Sequence, residues 1–156
     1  MKLYLARHGD YTLDPIQNMD VLSEKGMNDV LAITNWLKPL NLSVASIWHS
    51  SKNRAQQTAG ILAAAFTAKK AAAYHEGLEP DDDIDRVTAE IQHSDDDMVV
   101  VGHLPFMSKL TSHLLIGDEN RELINFATGS LVCLSQIDKT HWVMDWMLTP
   151  DMWYLR

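Results

Sequence analysis

The sequence predicts a three-layer α/β/α fold, in which helices cover both faces of a mostly parallel sheet and an antiparallel hairpin is added near the C-terminus. Short apolar runs at Leu3–Ala6 and Met98–Val101 are typical of buried parallel strands. Each run ends in a polar tip, and the layout of strand, polar tip and helix start recurs over residues 44–59. Two later apolar segments flank Asp138-Lys139-Thr140, which predicts the hairpin.

Apolar periodicity and the residues that start or stop helices give the order of the elements. Ser23 is the expected N-cap of the first helix, while Pro105 opens the last helix and Gly117 ends it. The predicted helices cover residues 23–38, 52–67, 84–92 and 105–115. The predicted strands after the first cover residues 44–49, 98–101, 131–137 and 142–148, and residues 71–75 are expected to form a short strand or an extended stretch. Residues 11–21, which contain Pro15, are predicted to form a loop over the mouth of the site.

The inward faces of the first two helices follow from their apolar stripes, which we expect to belong to the core. The stripe of the first helix consists of Met27, Val30, Leu31, Thr34 and Leu37. The stripe of the second helix consists of Ala55, Ala59, Leu62, Ala63 and Phe66.

The length of the chain fits one domain spanning residues 1–156. At 156 residues and 17.6 kDa it can bury a core without the support of a metal or a disulfide. The one cysteine, Cys133, lies in an apolar run, which predicts no disulfide and a reducing, cytoplasmic location. Because no long apolar stretch follows the polar residues that begin at position 7, we expect neither a signal peptide nor a membrane span.

The net charge of −8 argues against a nucleic-acid partner, which would require a basic face. The acidic residues cluster at 76–85 and 95–97. We expect these clusters to be solvated loops and a helix start, since carboxylates are favourable at helix N-termini.

The polar tip of the first strand, Arg7-His8-Gly9-Asp10, has the composition of an anion site. Arginine offers a planar fork of donors that matches phosphate oxygens, and a neutral imidazole nitrogen can attack phosphorus. Gly9 would let the backbone approach the bound group closely. Asp10 is expected either to orient a group in the site or to serve as a plain turn residue.

The carboxyl ends of parallel strands share one edge of a sheet, which is where open α/β sheets bind ligands. The three tips would therefore bring together Arg7, His8, Arg54 and His103. Arg54 falls in the first turn of a helix, where the dipole disfavours a cation. A bound phosphate would explain why an arginine lies at this position, and a surface ion pair with a carboxylate is the alternative explanation.

Four motifs in this order resemble those of the histidine phosphatase superfamily, the phosphoglycerate-mutase-like enzymes, and in particular its short SixA-type phosphohistidine phosphatases. The motifs are Arg7-His8-Gly9, Leu22-Ser23-Glu24-Lys25-Gly26, Ser50-x-x-x-Arg54-Ala55-x-Gln57-Thr58-Ala59 and Gly102-His103-Leu104-Pro105. The resemblance spans most of the chain and implies a phosphoglycerate-mutase-like fold.

The resemblance also implies a hydrolase in which His8 attacks phosphorus and water then hydrolyses the phosphohistidine enzyme. Arg7, Arg54 and His103 would act as the catalytic groups that bind the phosphoryl oxygens, with no metal and no other cofactor. Larger relatives cover the site with insertions, for which this chain has little spare length. We therefore expect a protein-borne substrate, namely phosphohistidine on a phosphorelay protein such as a histidine phosphotransfer domain in signal transduction.

The general acid is the open point of this prediction. Glu79 is the best candidate for such an acid, with residues 81–83 behind it, but Leu78-Glu79-Pro80 resembles the SixA-type pattern more than the acid motif of other relatives. An imidazole leaving group needs an acid less than an alkoxide does, which favours phosphohistidine. The alternatives are a small-molecule phosphomonoesterase with Glu79 as acid and a non-catalytic phosphate-binding module.

Several further residues are expected to have structural or minor roles. Thr128-Gly129-Ser130 is predicted to line the site. The remaining histidines lack the short paired spacing of a zinc site, so we expect them to be structural or exposed. They are His49, His75, His93, His113 and His141.

Overall fold

A six-stranded sheet forms the centre of the protein, whose computed structural model describes residues 1–153. The strands are β1 (Lys2–Arg7), β2 (Tyr11–Asp14), β3 (Met19–Leu22), β4 (Leu42–Val44), β5 (Ser46–His49), β6 (Phe66–Ala68), β7 (Ala73–Tyr74), β8 (Met98–Gly102), β9 (Leu131–Gln136) and β10 (Trp142–Leu148). The helices are α1 (Glu24–Leu37), α2 (Asn53–Leu62), α3 (Asp85–His93) and α4 (Phe106–Ile116). Short 3₁₀ turns occupy Lys38–Leu40, Ala63–Ala65 and Pro150–Trp153.

The order of the strands in the central sheet is β10-β9-β1-β8-β5-β7. Strand β1 runs parallel to β8, β8 to β5 and β5 to β7, whereas β9 is antiparallel to β1 and β10 to β9. The predicted fold class, a mostly parallel sheet with an antiparallel C-terminal hairpin, is confirmed.

The two faces of the sheet carry separate apolar cores because side chains alternate along each strand. On one face, Leu3 and Leu5 of β1 pack with residues of α3 and α4. On the other face, Tyr4 and Ala6 pack with residues of α1 and α2. The helices therefore cover both faces, and strands β1 and β8 lie between them.

The buried face of α1 matches the predicted stripe at Val30, Thr34 and Leu37 but not at its other two positions. Ser23 caps the helix as expected, since its Oγ accepts a hydrogen bond from the Gly26 amide at 3.0 Å. Met27 and Leu31 are exposed, however, and Gly26, Asp29 and Ile33 are buried in their place. The close approach of Gly26 to the backbone of Asp10 sets this orientation, because a Cβ at Gly26 would lie 2.0 Å from the Asp10 carbonyl oxygen.

The second helix is shorter than predicted. It ends at Leu62, and after the turn at Ala63–Ala65 the chain forms β6, which pairs in parallel with β4 in a separate two-stranded sheet. Phe66 is still buried, but as a strand residue whose ring packs edge-on against Tyr4 with 5.1 Å between centroids. The sequence does not reveal this change of conformation, because the run of alanines at residues 63–65 has neither the apolar periodicity of a helix nor that of a strand.

Residues 11–22, predicted as a loop up to residue 21, form an antiparallel hairpin of β2 and β3. Asn18 in its turn has a φ of 51°, a conformation that asparagine tolerates better than most residues. Among residues 1–153, no helix is both long enough and apolar enough to cross a membrane.

Candidate active site

The ends of β1 and β8 bring the two motif histidines together. The His8 amide donates to the Gly102 carbonyl at 3.0 Å, which continues the parallel pairing of β1 and β8 past their last residues. The imidazole rings of His8 and His103 consequently lie with their centroids 4.8 Å apart. The first turn of α2 adds Arg54 to the same edge.

His8 is held in one tautomer by its own backbone. Its Nδ1 lies 2.8 Å from the carbonyl oxygen of Gly9, and a carbonyl can only accept, so Nδ1 carries the proton. The Gly9 amide is fixed in turn by a hydrogen bond to Thr58 Oγ1 at 3.0 Å. The lone pair of the imidazole is therefore on Nε2, the atom that faces Arg54.

Both histidines are neutral at pH 7. Burial, together with the cations of Arg54 and Arg7, lowers the pKa of His8 to about 4, against the opposing effect of the Gly9 carbonyl. Burial, His8 and Arg54 lower the pKa of His103 to about 3. A neutral imidazole with a free nitrogen is the form that can act as a nucleophile.

Arg54 donates a hydrogen bond to the unprotonated nitrogen of His8. Its Nε is 3.4 Å from His8 Nε2, while its Nη1 donates to Asp20 Oδ2 at 2.5 Å. The ring of Tyr11 lies 4.4 Å from Cζ of the same guanidinium. Arg54 thus lies in the site and is also paired with a carboxylate, so both of the sequence-based readings of this residue describe its surroundings.

Arg7 extends from the end of β1 with part of its guanidinium uncommitted. Its Nη1 donates to the Phe126 carbonyl at 2.6 Å, and its Nε is buried without a hydrogen-bond partner among residues 1–153. Burial lowers the pKa of Arg7 below its usual value. A buried donor of this kind is favourable only when an acceptor occupies the site.

The segment before β9 borders the site at the position that Thr128-Gly129-Ser130 was expected to take. The Gly129 amide donates to the His8 carbonyl at 2.9 Å, and the Arg7 amide donates to the Ser130 carbonyl at 3.1 Å. These bonds fix the backbone of the Arg7-His8 tip from the side opposite β8.

His103 follows β8 and is paired with Ser50, which follows β5. The distance from Ser50 Oγ to His103 Nε2 is 2.5 Å, and Ser50 is fully buried. The Lys52 amide also donates to Ser50 Oγ, at 3.3 Å. Ser50 belongs to the motif around Arg54, but the motif alone does not predict its contact with His103.

Glu79 lies near this pair but is held as a carboxylate. Its Oε1 accepts a hydrogen bond from the Ser51 amide at 2.8 Å, and its Oε2 lies 3.7 Å from Lys52 Nζ. Burial raises the pKa of Glu79, but the bonds from Ser51 and the charge of Lys52 outweigh burial and the pKa is lowered. An ionised Glu79 has no proton to donate at neutral pH.

Asp20 and Tyr11, both on the β2–β3 hairpin, are site residues that the sequence analysis missed. The ring of Tyr11 packs edge-on against His8 at 5.4 Å, in addition to its contact with Arg54. No motif marks these residues, although Pro15 and Asn18 between two mixed segments are turn signals that favour a hairpin. Asp10 bonds to Ser23 Oγ at 2.6 Å, which supports the start of α1.

Two of the remaining histidines that the sequence analysis considered lie outside this cluster. His49 is buried with Nδ1 2.8 Å from the Ser50 carbonyl, and His75 stacks on Trp48 and pairs with Glu90 at 2.7 Å. Within residues 1–153, no three His, Cys, Asp or Glu side chains are grouped so that they could hold a metal ion.

Comparison with known proteins finds a family model that part of the chain matches and solved structures that the chain resembles. Residues 3–79 match the model of the histidine phosphatase superfamily (branch 1), a range that contains Arg7, His8, Arg54 and Glu79. The predicted resemblance to this superfamily is confirmed.

Solved structures of several phosphatases share the fold of the chain. The chain is similar to the protein histidine phosphatase SixA in complex with tungstate, with a TM-score of 0.84, 22% identity and coverage of 98% of this chain and 99% of that one. A SixA-type protein from Agrobacterium tumefaciens gives a TM-score of 0.77 at 21% identity, covering 96% and 97% of the two chains. A mycobacterial glucosyl-3-phosphoglycerate phosphatase bound to VO3 gives 0.67 at 19% identity, covering 93% and 97%. No curated protein sequence matches the chain.

Proposed function

We propose that this protein is a metal-independent phosphatase that uses His8 as a nucleophile and removes phosphate from phosphohistidine on a phosphorelay protein. The observation that carries the proposal is the state of His8: it is buried and neutral, its proton is fixed on Nδ1, and its Nε2 lies 3.4 Å from the guanidinium of Arg54. The family match and the SixA-type fold support the same chemistry.

In the first step, the lone pair of His8 Nε2 attacks phosphorus, and the bond between phosphorus and the leaving atom of the substrate breaks. The electron pair of that bond stays with the leaving group. The imidazole of His8 becomes positively charged, and the Gly9 carbonyl bonded to Nδ1–H stabilises this charge. Arg54, Arg7 and His103 bind the oxygens of the phosphoryl group.

In the second step, water attacks the phosphorus of phosphohistidine, the bond to Nε2 breaks, and orthophosphate and a proton are released. Phosphoryl transfer requires chiefly positioning and stabilisation of charge from the protein. Two guanidinium groups and the neutral His103 supply both without a metal.

The substrate class follows from what the site offers to the leaving group. Glu79 is held as a carboxylate by the Ser51 amide and Lys52, so it is a poor donor for an alkoxide that needs a proton. A phosphohistidine ring that is already protonated on its second nitrogen leaves as neutral imidazole and needs no proton from the enzyme. The pairing of Glu79 therefore favours phosphohistidine.

The surface around the site favours a substrate carried by a protein. The hairpin that supplies Tyr11 and Asp20 also exposes Leu13, Ile16 and Met19, and Ile16 is 93% exposed. Exposed apolar side chains at the edge of a site are a typical contact for a protein partner. A cytoplasmic phosphorelay protein such as a histidine phosphotransfer domain meets these requirements.

The second candidate function is a small-molecule phosphomonoesterase with Glu79 as acid. The position of Glu79 supports this second function. Glu79 accepts a hydrogen bond from the Ser51 amide, and the preceding residue, Ser50, is hydrogen-bonded to His103. A related fold is found in glucosyl-3-phosphoglycerate phosphatase, whose name indicates a small-molecule substrate.

A substrate panel separates these functions. Purified protein is assayed against a phosphohistidine protein, sugar phosphates and nucleotides, with Glu79→Gln beside the unchanged chain. We expect release of phosphate from the phosphohistidine protein with little loss in the Glu79→Gln variant. Preference for sugar phosphates or nucleotides with strong dependence on Glu79 supports the second candidate, and no turnover of any substrate supports a phosphate-binding module.

A further inference from the structure

Asp20 shares the guanidinium of Arg54 with the nucleophile. The Nη1 of Arg54 donates to Asp20 Oδ2 at 2.5 Å, while Nε of the same group lies 3.4 Å from His8 Nε2. Because the guanidinium is planar and rigid, it connects the reactive nitrogen to the carboxylate across one small group. A negative charge therefore lies at the edge of a site that we propose binds phosphate.

The position of this carboxylate is fixed by the backbone as well as by Arg54. The Asp20 carbonyl accepts a hydrogen bond from Asn53 Nδ2 at 3.1 Å, and the Leu22 amide donates to Gln57 Oε1 at 2.7 Å. These bonds tie β3 to the first two turns of α2. Asp20 accordingly points at Arg54 because the hairpin is attached to the helix that carries Arg54.

A fixed carboxylate affects phosphorylated ligands in opposite ways. Orthophosphate and phosphomonoesters present only negative charge, so they must compete with Asp20 for Nη1 of Arg54 and are repelled by its charge. A phosphoramidate that is protonated on nitrogen carries a positive charge directly on the leaving group. The same carboxylate attracts that charge.

We propose that Asp20 determines specificity, favouring substrates whose leaving group is a protonated nitrogen over anionic phosphomonoesters. The proposal rests on the proposed function of the site. Asp20 takes no proton in the reaction. The bond from His8 Nε2 to phosphorus forms as the P–N bond of the substrate breaks, and the electron pair of the broken bond stays on the ring nitrogen. The phosphorylated imidazolium ring of the substrate thus leaves as neutral imidazole. Asp20 acts by increasing the protonated, reactive fraction of the bound substrate.

A purely structural role for Asp20 predicts effects of the opposite sign. If Asp20 served only to hold Arg54 in place, its loss would release the guanidinium and weaken the binding of every anion. If Asp20 repels anions, its loss strengthens the binding of orthophosphate. The affinity for orthophosphate therefore separates the two roles without any measurement of turnover.

The experiment compares the unchanged chain with Asp20→Asn, using phosphoramidate and p-nitrophenyl phosphate as substrates and orthophosphate in calorimetry. We expect the ratio of kcat/KM for phosphoramidate to that for p-nitrophenyl phosphate to fall about tenfold, and orthophosphate to bind about tenfold more tightly. The pH above which phosphoramidate turnover declines should also move lower. An unchanged ratio with unchanged or weaker orthophosphate binding overturns the proposal.

The matched control is Asp14→Asn on the same hairpin. Asp14 accepts hydrogen bonds from the Ile16 and Gln17 amides, and the side-chain oxygen of asparagine can accept the same bonds. The substitution therefore removes one negative charge and leaves the contacts of Arg54 unchanged. We expect no change in selectivity, and an equal change in this variant would contradict a specific role for Asp20.

Three further outcomes have defined consequences. If Asp20→Asn does not fold, Asp20→Ser replaces it in the same measurements. If the unchanged chain hydrolyses neither substrate, the proposed function fails, and orthophosphate binding still tests the repulsion by Asp20. Normal turnover by the unchanged chain with no effect of Asp20→Asn rejects the role of Asp20 alone.

Discussion

The reactivity of His8 depends on which of its nitrogens carries the proton. The Gly9 carbonyl fixes the proton on Nδ1, and burial lowers the pKa of the ring to about 4, so Nε2 keeps a lone pair at neutral pH. His103, whose pKa is lowered to about 3 by burial first, is neutral for the same reason. Two neutral imidazoles between two arginines leave the positive charge of the site on the guanidinium groups, where it can bind a phosphoryl anion.

The same pKa values predict how stability changes with pH. Both histidines have folded-state pKa values below the unfolded value of 6.5, so the unfolded chain binds more protons below pH 6.5. We expect their contribution to be fully present above pH 6.5 and to be lost as the pH falls towards 4 for His8 and 3 for His103. The loss should be about 1.4 kcal/mol per pH unit for each group.

Urea unfolding of the unchanged chain and of His8→Gln between pH 7 and pH 4 measures this dependence. The variant should lose less stability over the interval, because glutamine binds no proton. Equal slopes for the two proteins would show that His8 is not held neutral by burial.

At the scale of elements, the site depends on how α1 and the β2–β3 hairpin pack against the tip of β1. The three strand tips could be predicted from the sequence because apolar runs and polar ends mark them directly. Asp20 could not, since its place depends on pairing of β2 with β3 and on bonds to α2 that no local pattern encodes. The predicted stripe of α1 was wrong at Met27 and Leu31 for a related reason: the contact of Gly26 with Asp10 helps to orient that helix, and apolar periodicity does not reveal this contact.

Gly26→Ala tests this packing. A Cβ at Gly26 would lie 2.0 Å from the Asp10 carbonyl oxygen and 2.8 Å from its nitrogen, both backbone atoms, so α1 must move away from the tip of β1. We expect a loss of about 1–3 kcal/mol in the free energy of unfolding, measured in urea. Gly60→Ala in α2 is the control, because its added Cβ would meet no atom within 4 Å. It should be neutral or stabilising, and equal losses in both variants would contradict the packing account.

Ile16→Asp tests the hairpin as a contact for a protein substrate. Ile16 is 93% exposed at the turn, so the change should leave stability and turnover of p-nitrophenyl phosphate nearly unaltered. We expect kcat/KM for a phosphohistidine protein to fall about tenfold, as for a contact residue at an interface. Ile137→Asp is the control: Ile137 is 65% exposed beyond β9, whose end is bonded to Met1 at the opposite end of β1. Equal effects of the two variants would remove the hairpin from substrate recognition.

At the scale of the whole molecule, the sheet brings distant parts of the chain to one edge. Residues near positions 8, 54 and 103 meet because β1, β5 and β8 are parallel neighbours, and parallel strands end on the same side. The sequence predicted this convergence from the repeated layout of strand and polar tip. The separate sheet of β4 and β6 and the hairpin at residues 11–22 depend on non-local pairing, which the same layout does not reveal.

The proposed chemistry places all the positive charge of the site on protein side chains. We therefore expect turnover to be unaffected by a chelator such as EDTA, measured with the phosphohistidine protein before and after dialysis against it. Loss of turnover that is restored by adding a divalent cation would contradict a metal-independent reaction.

The central claim is that phosphate is carried covalently on His8, and rapid quenching tests it most directly. The protein is mixed with labelled phosphohistidine protein, and the reaction is quenched in base within the first turnover. The phosphorylated residue is then identified by mass spectrometry, with the His8→Asn variant as control. We predict phosphate on His8 that is stable in base and labile in acid, and none on the variant. Acid-stable phosphate on another residue such as Ser50, or full turnover by His8→Asn, would contradict the account.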